Sequence, residues 1–83
     1  MLHHFYHLRD PMDECLDDEG IALPSLAAAR AHALTAAYSI MSADILEGKL
    51  DLNQRIDVED DEGNIVHTVH FRDVVRITGQ ASS

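Results

Sequence analysis

The stretch SLAAARAHALTAAYSIMSADILEG, residues 25–48, decides the fold, because it contains eight alanines and neither proline nor an internal glycine. Alanine has the highest intrinsic helix propensity, so local preference favours a helix throughout. Ser25 is a suitable N-cap, and Gly48 is a suitable residue just beyond the C-terminus, where a positive φ angle is common. The sequence therefore predicts one helix over about residues 26–47.

Two apolar stripes run along this predicted helix at helical spacing. The first has mostly small side chains, which allow close approach to a sheet: Leu26, Ala29, Ala33, Ala37 and Ile40. The second lies beside it: Leu34, Tyr38, Met41 and Ile45. Together the stripes are wider than one small sheet covers, and a monomer exposing the second would carry a large apolar patch. The second stripe is therefore predicted to be an interaction surface; burial under residues 50–52 and the C-terminal tail is the alternative.

The segments before the helix have the pattern of strands. Residues 2–9 form a strand, whose core face is predicted to carry Leu2, His4, Tyr6 and Leu8. Residues 10–20 form an acidic loop, part of which is expected to return along the first strand as a short edge strand. Residues 21–23 then alternate inward before Pro24.

Residues 54–71, after the helix, are typical of a β-hairpin, with residues 60–64 as the turn and Gly63 available for a positive φ angle. The return strand carries apolar residues on both faces, which indicates either a bulge or burial on two sides. Phe71, Val74 and Val75 follow at the spacing of a short helical turn, whereas Val75 and Ile77 would instead extend the strand.

These elements predict an α+β fold with a small antiparallel sheet. Their order is β-β-α-β-β, with the one long alanine-rich helix packed on a single face of the sheet. The 83 residues allow one domain, assigned to residues 1–78, with residues 79–83 as a disordered C-terminal tail.

Charge and cysteine content exclude several classes of function. Fifteen acidic residues against six basic ones give a net charge of −9, which argues against nucleic-acid or anionic-membrane partners. Cys15 is the only cysteine, so neither an intramolecular disulfide nor a cysteine-based zinc site is available within one chain. The N-terminal residues lack the pattern of a secretory signal, and a cytoplasmic location is expected.

Five short segments, taken in order, resemble a family of small bacterial single-domain proteins of unknown function. They are residues 5–10, 17–20, 28–33, 58–63 and 71–75. The family is similar in having an aromatic-Phe-His-aliphatic-Arg-Asp start, Asp-x-x-Gly before an alanine-rich helix, and a Phe-Arg-Asp-Ala-Val-like end. The resemblance covers nearly the whole chain and implies no activity, substrate or catalytic residue.

Six histidines suggest a second hypothesis, a histidine-based metal-binding or pH-sensing domain. The two His-x-x-His pairs lie on predicted strands, where residues three apart point to opposite faces. A metal site would therefore need histidines from different strands with a carboxylate, and the candidates are His7, His67 and His70. The alternative is that the histidines are partly exposed strand residues.

The acidic segments suggest a third hypothesis, docking of a basic protein or peptide. Eleven of the fifteen carboxylates fall within residues 10–19 and 57–62, which are otherwise interpreted as solvated turns. Two Arg-Asp dipeptides, residues 9–10 and 72–73, would form cross-strand ion pairs if the first and last strands were close.

No arrangement typical of catalysis is recognised. The serines lack a neighbouring catalytic motif, the glycines are too scattered for a phosphate loop, and no cofactor is indicated. The leading hypothesis is therefore a non-enzymatic interaction module that self-associates as a homodimer.

Overall fold

The computed structural model describes residues 1–75. Its elements are β1 (Leu2–Arg9), β2 (Glu14–Cys15), β3 (Ile21–Leu23), α1 (Leu26–Leu46), β4 (Arg55–Asp60), β5 (Ile65–His70) and α2 (Phe71–Val74). The predicted α+β class, with one long helix packed on a small antiparallel sheet, is confirmed. The second predicted strand is divided into β2 and β3. The assigned domain boundary at residue 78 and the tail at residues 79–83 lie outside the described residues.

The sheet has the order β2-β1-β4-β5, and β3 also pairs with β1. All the pairings are antiparallel. Because β4 occupies one side of β1, both β2 and β3 lie on the other side, where Leu8 is opposite Cys15 and His4 is opposite Ile21. Residues 16–20 leave the sheet between these two short strands. One edge of the sheet is therefore interrupted, whereas β5 forms the other edge.

The ends of α1 are fixed by the predicted capping residues. Ser25 Oγ accepts the backbone N–H of Ala28 at 3.1 Å, which satisfies one of the free donors at the N-terminus. Gly48 has a φ angle of 80° and donates to the Ile45 carbonyl, and Lys49 donates to the Asp44 carbonyl. This pair of hydrogen bonds is the Schellman motif. Neither helix within residues 1–75 is both long and apolar enough to cross a lipid bilayer.

The core lies between α1 and the sheet. Ala29, Ala33 and Ala37 are fully buried, so small side chains bring the helix close to the strands, as predicted. Tyr6 and Leu8 pack against the core from the expected face of β1. The sheet and α2 supply further buried side chains: Ile56, Val58, Val69 and Phe71.

Met41 is buried in this core, which corrects its assignment to the second, exposed stripe. The buried row of α1 is spaced by four residues, and such a row drifts around the helix because a turn contains only 3.6 residues. The row thereby passes from the first predicted stripe at Ala37 into the second at Met41.

The hairpin contains a bulge, which is one of the two explanations that the sequence offers for apolar residues on both faces of the return strand. Val58 is opposite His67, whereas the next residue, Glu59, is opposite Ile65, so Val66 is the extra residue on β5. Val66 packs against the core, as Val69 does. The apolar residues on both faces of the return strand are therefore explained by the bulge. The single helical turn α2 follows directly, and Ile77 lies outside the described residues.

Candidate functional site

Three of the four residues predicted to form an interaction surface are exposed on α1. Leu34 is 36% exposed, Tyr38 50% and Ile45 60%, and their spacing of four and seven residues places them on one side of the helix. We call these three residues the α1 flank. The fourth predicted residue, Met41, is buried and does not contribute to this surface.

A largely apolar groove of about 380 Å³ lies between α1 and β5, and one residue of the α1 flank, Leu34, lines it. Leu26, at the start of α1, and Val66, near the start of β5, line one cavity. Leu34, farther along α1, and Val74, beyond the end of β5, line the groove. Because the start of α1 lies near the start of β5, the helix and the strand run in the same direction. Arg30, one turn before Leu34, and Asp73, beyond the end of β5, lie toward opposite ends of the groove.

Arg30 and Asp73 are both exposed, and neither forms a salt bridge with any residue in the described part of the chain. The groove therefore combines an apolar floor with two charges of opposite sign that have no salt-bridge partner within residues 1–75. Sequence reasoning missed Arg30 and considered Asp73 only as part of the Arg-Asp dipeptide at residues 72–73. The absence of charged residues from residues 65–70 indicates an uncharged strand, but it does not identify either residue.

His7 is buried on the face of the sheet away from α1, contrary to the expectation of a partly exposed strand histidine. Its Nδ1 accepts the backbone N–H of Asp17 at 3.1 Å, so the proton is on Nε2, which donates to Glu59 Oε1 at 2.9 Å. Asp17, in the loop between β2 and β3, therefore lies against the edge of the ring. His4 is buried as well, on the helix-facing side of β1.

The three histidines named as metal candidates do not lie together. His7 is opposite Asp57 on β4, whereas His67 is opposite Val58, so the two imidazoles extend from opposite faces of the sheet. His67 and His70 line the groove beside α1 instead. Residues 1–75 contain no group of three histidine, cysteine, aspartate or glutamate side chains suited to hold a metal ion.

Several carboxylates of the acidic segments bind the chain's own backbone. Asp17 Oδ2 accepts the N–H of Tyr6, a donor that points toward the gap between β2 and β3, and Oδ1 accepts the N–H groups of Glu19 and Gly20. Burial raises the pKa of Asp17, but these three hydrogen bonds, with a contribution from His7, lower it below the ordinary 3.8.

Asp60 has the same role in the hairpin turn. The N–H groups of Asn64 and Glu62 donate to its Oδ1, at 2.9 Å each. The hydrogen bond from the Asn64 backbone is the largest cause of a lowered pKa at Asp60. Some of the acidic residues therefore serve the local structure of the loops instead of being free for a basic partner.

The Arg-Asp dipeptides do not pair with each other, because β4 separates the first strand from the last. Arg9 Nη1 donates to Asp57 at 2.9 Å, and Arg72 Nη2 donates to Asn53 at 2.7 Å. Asp57 is itself a buried residue of β4, which corrects its assignment to a solvated turn.

Substituting Asp17 with asparagine is expected to lower the free energy of unfolding by about 1–2 kcal/mol at pH 7, because an amide NH₂ group cannot accept the Tyr6 N–H. The folded-state pKa of Asp17 is lowered, so its ionisation stabilises the fold above pH 4. This contribution is lost as the pH falls through the folded pKa. Urea unfolding at pH 7 and pH 3 measures both effects.

The matched control for this prediction is Asp18→Asn, which removes the same charge from an exposed neighbouring side chain. Its effect is expected to be small at either pH. A destabilisation by Asp17→Asn that is as large at pH 3 as at pH 7 would contradict the assigned role of the carboxylate.

Comparison with known proteins identifies the family and nothing finer. No curated protein and no solved structure matches the chain. One family model does, the domain of unknown function DUF6894, and the match covers residues 2–72. This span includes every strand and the whole of α1, as the resemblance found in the sequence implies. The chain therefore belongs to the DUF6894 family.

Proposed function

We propose that the protein is a non-enzymatic module that associates with a second copy of itself through the α1 flank and the adjoining groove. The observation that carries the proposal is the exposure of three large apolar side chains, Leu34, Tyr38 and Ile45, on one side of the main helix. One of them, Leu34, also lines the apolar groove, and exposed apolar patches beside a groove are typical of interaction sites.

The charges of the groove favour a second copy as the occupant. A twofold dimer uses the same patch on both subunits, so one end of the groove meets the opposite end of the partner's groove. In such an arrangement Arg30 approaches the partner's Asp73, and Asp73 approaches the partner's Arg30. The groove is therefore complementary to itself in charge as well as in apolar character.

A basic partner fits this surface less well. The lining of the groove includes one arginine and one aspartate, so it has no excess of negative charge. The clustered carboxylates belong to residues 10–19 and 57–62, and several of them already bind backbone N–H groups or arginines. The groove therefore supports self-association. The acidic loops are a separate surface, and the alternative hypothesis of a basic partner concerns that surface alone.

Substituting Tyr38 with glutamate is expected to weaken self-association by about tenfold or more, because the variant places like charges near each other across the twofold contact. The side chain is half exposed and glutamate is a good helix former, so the monomer should still fold. Sedimentation equilibrium measures the change. The wild-type chain is expected at twice 9.2 kDa and the variant at 9.2 kDa.

The matched control is Leu46→Glu. Leu46 is more exposed than any residue of the α1 flank, at 88%, but lies about 100° around the helix from its neighbour Ile45. This variant should remain a dimer. A wild-type chain that sediments as a monomer at high concentration would overturn the proposal, as would equal dissociation of both variants.

Salt distinguishes self-association from docking of a basic partner. Two copies with a net charge of −9 repel each other, so added salt should strengthen an apolar self-contact by screening this repulsion. Binding of a basic protein or peptide should weaken under the same change. Repeating the sedimentation measurement at 50 mM and 500 mM NaCl therefore separates the two hypotheses.

A further inference from the structure

We infer that the second copy joins through β5, so that two β5 strands pair antiparallel and the two sheets become one continuous sheet. This inference rests on the proposed self-association and specifies its geometry. It adds backbone hydrogen bonds to the apolar contacts of the α1 flank, which is the mode of recognition known as strand addition.

The two edges of the sheet differ in a way that favours β5. At the other edge, β2 and β3 have two and three residues, and the loop between them leaves the strand ladder while staying packed against β1. There Asp17 accepts the N–H of Tyr6 that a further strand would otherwise bind. Short strands and interruptions protect an edge against pairing.

β5 has fewer such protections. Its six residues, Ile65–His70, include no lysine, arginine, aspartate, glutamate or proline, although the chain as a whole is a quarter charged. The bulge lies at its beginning, at Val66, which leaves residues 67–70 regular. Within residues 1–75 no strand covers this regular part of the edge, so it is open to pairing by a further strand.

The direction of the backbone groups on β5 follows from one hydrogen bond. Phe71 N–H donates to Gln54 O at 3.0 Å, which makes these two opposite residues a hydrogen-bonded pair. In an antiparallel ladder such pairs alternate with pairs that form no hydrogen bonds between them. Val69 and His67 therefore bond to β4, whereas the N–H and C=O groups of Thr68 and the N–H of His70 point outward from the edge. The His70 carbonyl accepts the first hydrogen bond of α2.

A twofold axis at Val69 gives the outward N–H of His70 a partner. In this register Thr68 lies opposite the partner's His70, and His70 lies opposite the partner's Thr68. The N–H of each His70 then donates to the C=O of the partner's Thr68. The pairing uses the regular part of the edge, between the bulge at Val66 and the start of α2.

The same axis brings the α1 flanks and the grooves of the two copies next to each other. Because the two sheets join edge to edge around a twofold axis, both α1 helices lie on one face of the joined sheet. The two grooves then adjoin, with Leu34 of each copy facing the other across the axis. Antiparallel pairing also brings Arg30 toward the partner's Asp73, as the self-complementary ends of the groove require.

Substituting His70 with proline tests the pairing directly. His70 has a φ angle of −89°, near the range of proline, and its N–H takes no part in the β4–β5 ladder. The variant should therefore fold as the wild type does while losing an outward donor in each copy. We expect its dimer dissociation constant to rise by about tenfold or more by sedimentation equilibrium. His70→Ala, which keeps the N–H, should remain a dimer.

Amide hydrogen exchange on the wild-type chain provides a test that needs no variant. The His70 amide should exchange slowly at concentrations where the dimer forms and quickly on dilution to the monomer. Rapid exchange of the His70 amide in a dimer, or a His70→Pro variant that still dimerises as the wild type does, would overturn β5 pairing and leave self-association standing. A wild-type monomer at all concentrations would overturn both proposals.

Discussion

Substituting Gly20 with alanine is expected to destabilise the fold by about 3–4 kcal/mol, whereas the same change at Gly48 should cost about 1 kcal/mol. Both glycines have positive φ angles, 68° and 80°, so both substitutions incur the cost of a left-handed backbone at a residue with a side chain. The two sites differ in the space available for the new methyl group. The difference between the two variants therefore isolates the effect of crowding.

Crowding at Gly20 arises because residues 16–20 lie directly over β1. A Cβ atom at Gly20 would lie 2.6 Å from the carbonyl oxygen of His4 and 2.6 Å from Nε2 of His3. The His3 ring is able to rotate away, at the expense of its 2.9 Å hydrogen bond to the Glu19 carbonyl. The His4 carbonyl belongs to the backbone of β1, so β3 and the loop would have to shift.

Gly48 is the matched control, because nothing lies within 4 Å of the position that its Cβ would occupy. Urea unfolding followed by far-UV circular dichroism measures the difference, at one dilute protein concentration so that self-association does not contribute. A gap of about 2–3 kcal/mol corresponds to a melting temperature about 10–20 °C lower for Gly20→Ala than for Gly48→Ala. Equal losses at the two glycines would show that the loop does not press on β1.

The Gly20 loop illustrates what the sequence predicts and what it leaves undetermined. The helix, the hairpin and the short return along β1 follow from propensity, capping residues and alternation, which act over a few neighbouring residues. The burial of His7 does not follow from such patterns. It depends on residues 16–20 folding back over β1, a contact between segments that alternation cannot predict.

The sequence also does not determine the order of the strands in the sheet. Asp57 belongs to an acidic run that local composition interprets as a turn, and only its place on β4 between β1 and β5 makes it a buried residue. The same order prevents Arg9 from reaching Asp73, because β4 lies between β1 and β5. Ion pairs between residues far apart in the sequence cannot be predicted unless it is known which strands are neighbours in the sheet.

The candidate surface was predicted in part. Helical periodicity identifies Leu34, Tyr38 and Ile45 as residues beyond the core stripe, and all three are exposed. It does not identify the side of the sheet toward which this flank faces, so the groove along β5 required the structure. The role of the surface in self-association is still a prediction, and the variants of Tyr38 and His70 test it.

Substituting Asp57 with alanine is expected to lower the free energy of unfolding by about 2–4 kcal/mol. Asp57 is 5% exposed and lies on the central strand β4, on the face of the sheet away from α1. Its Oδ2 accepts from Arg9 at 2.9 Å and from Arg55 at 3.3 Å, and its Oδ1 accepts from the Thr68 hydroxyl at 2.8 Å. One carboxylate therefore connects three neighbouring strands.

The size of the loss follows from what the substitution leaves behind. Without the carboxylate, the guanidinium groups of Arg9 and Arg55 lose their shared counter-charge, although Arg9 keeps its contact with Glu14 at 3.3 Å. The Thr68 hydroxyl also loses its acceptor. The side chains of Arg9 and Arg55 are 27% and 38% exposed, so water partly solvates them. The loss should therefore be smaller than the 3–5 kcal/mol typical of breaking a fully buried ion pair.

Two further variants separate charge from hydrogen bonding at this position. Asp57→Asn keeps a carbonyl oxygen for Thr68 but presents no negative charge to the arginines, so it should lose less stability than Asp57→Ala. Asp61→Ala removes the same charge from an exposed residue of the hairpin turn and should change stability by less than about 0.5 kcal/mol. The same small effect of Asp57→Ala and Asp61→Ala in urea unfolding would contradict this role, because the Asp57 carboxylate would then contribute no more than a surface charge. The three strands would be stabilised by their backbone hydrogen bonds and the core alone.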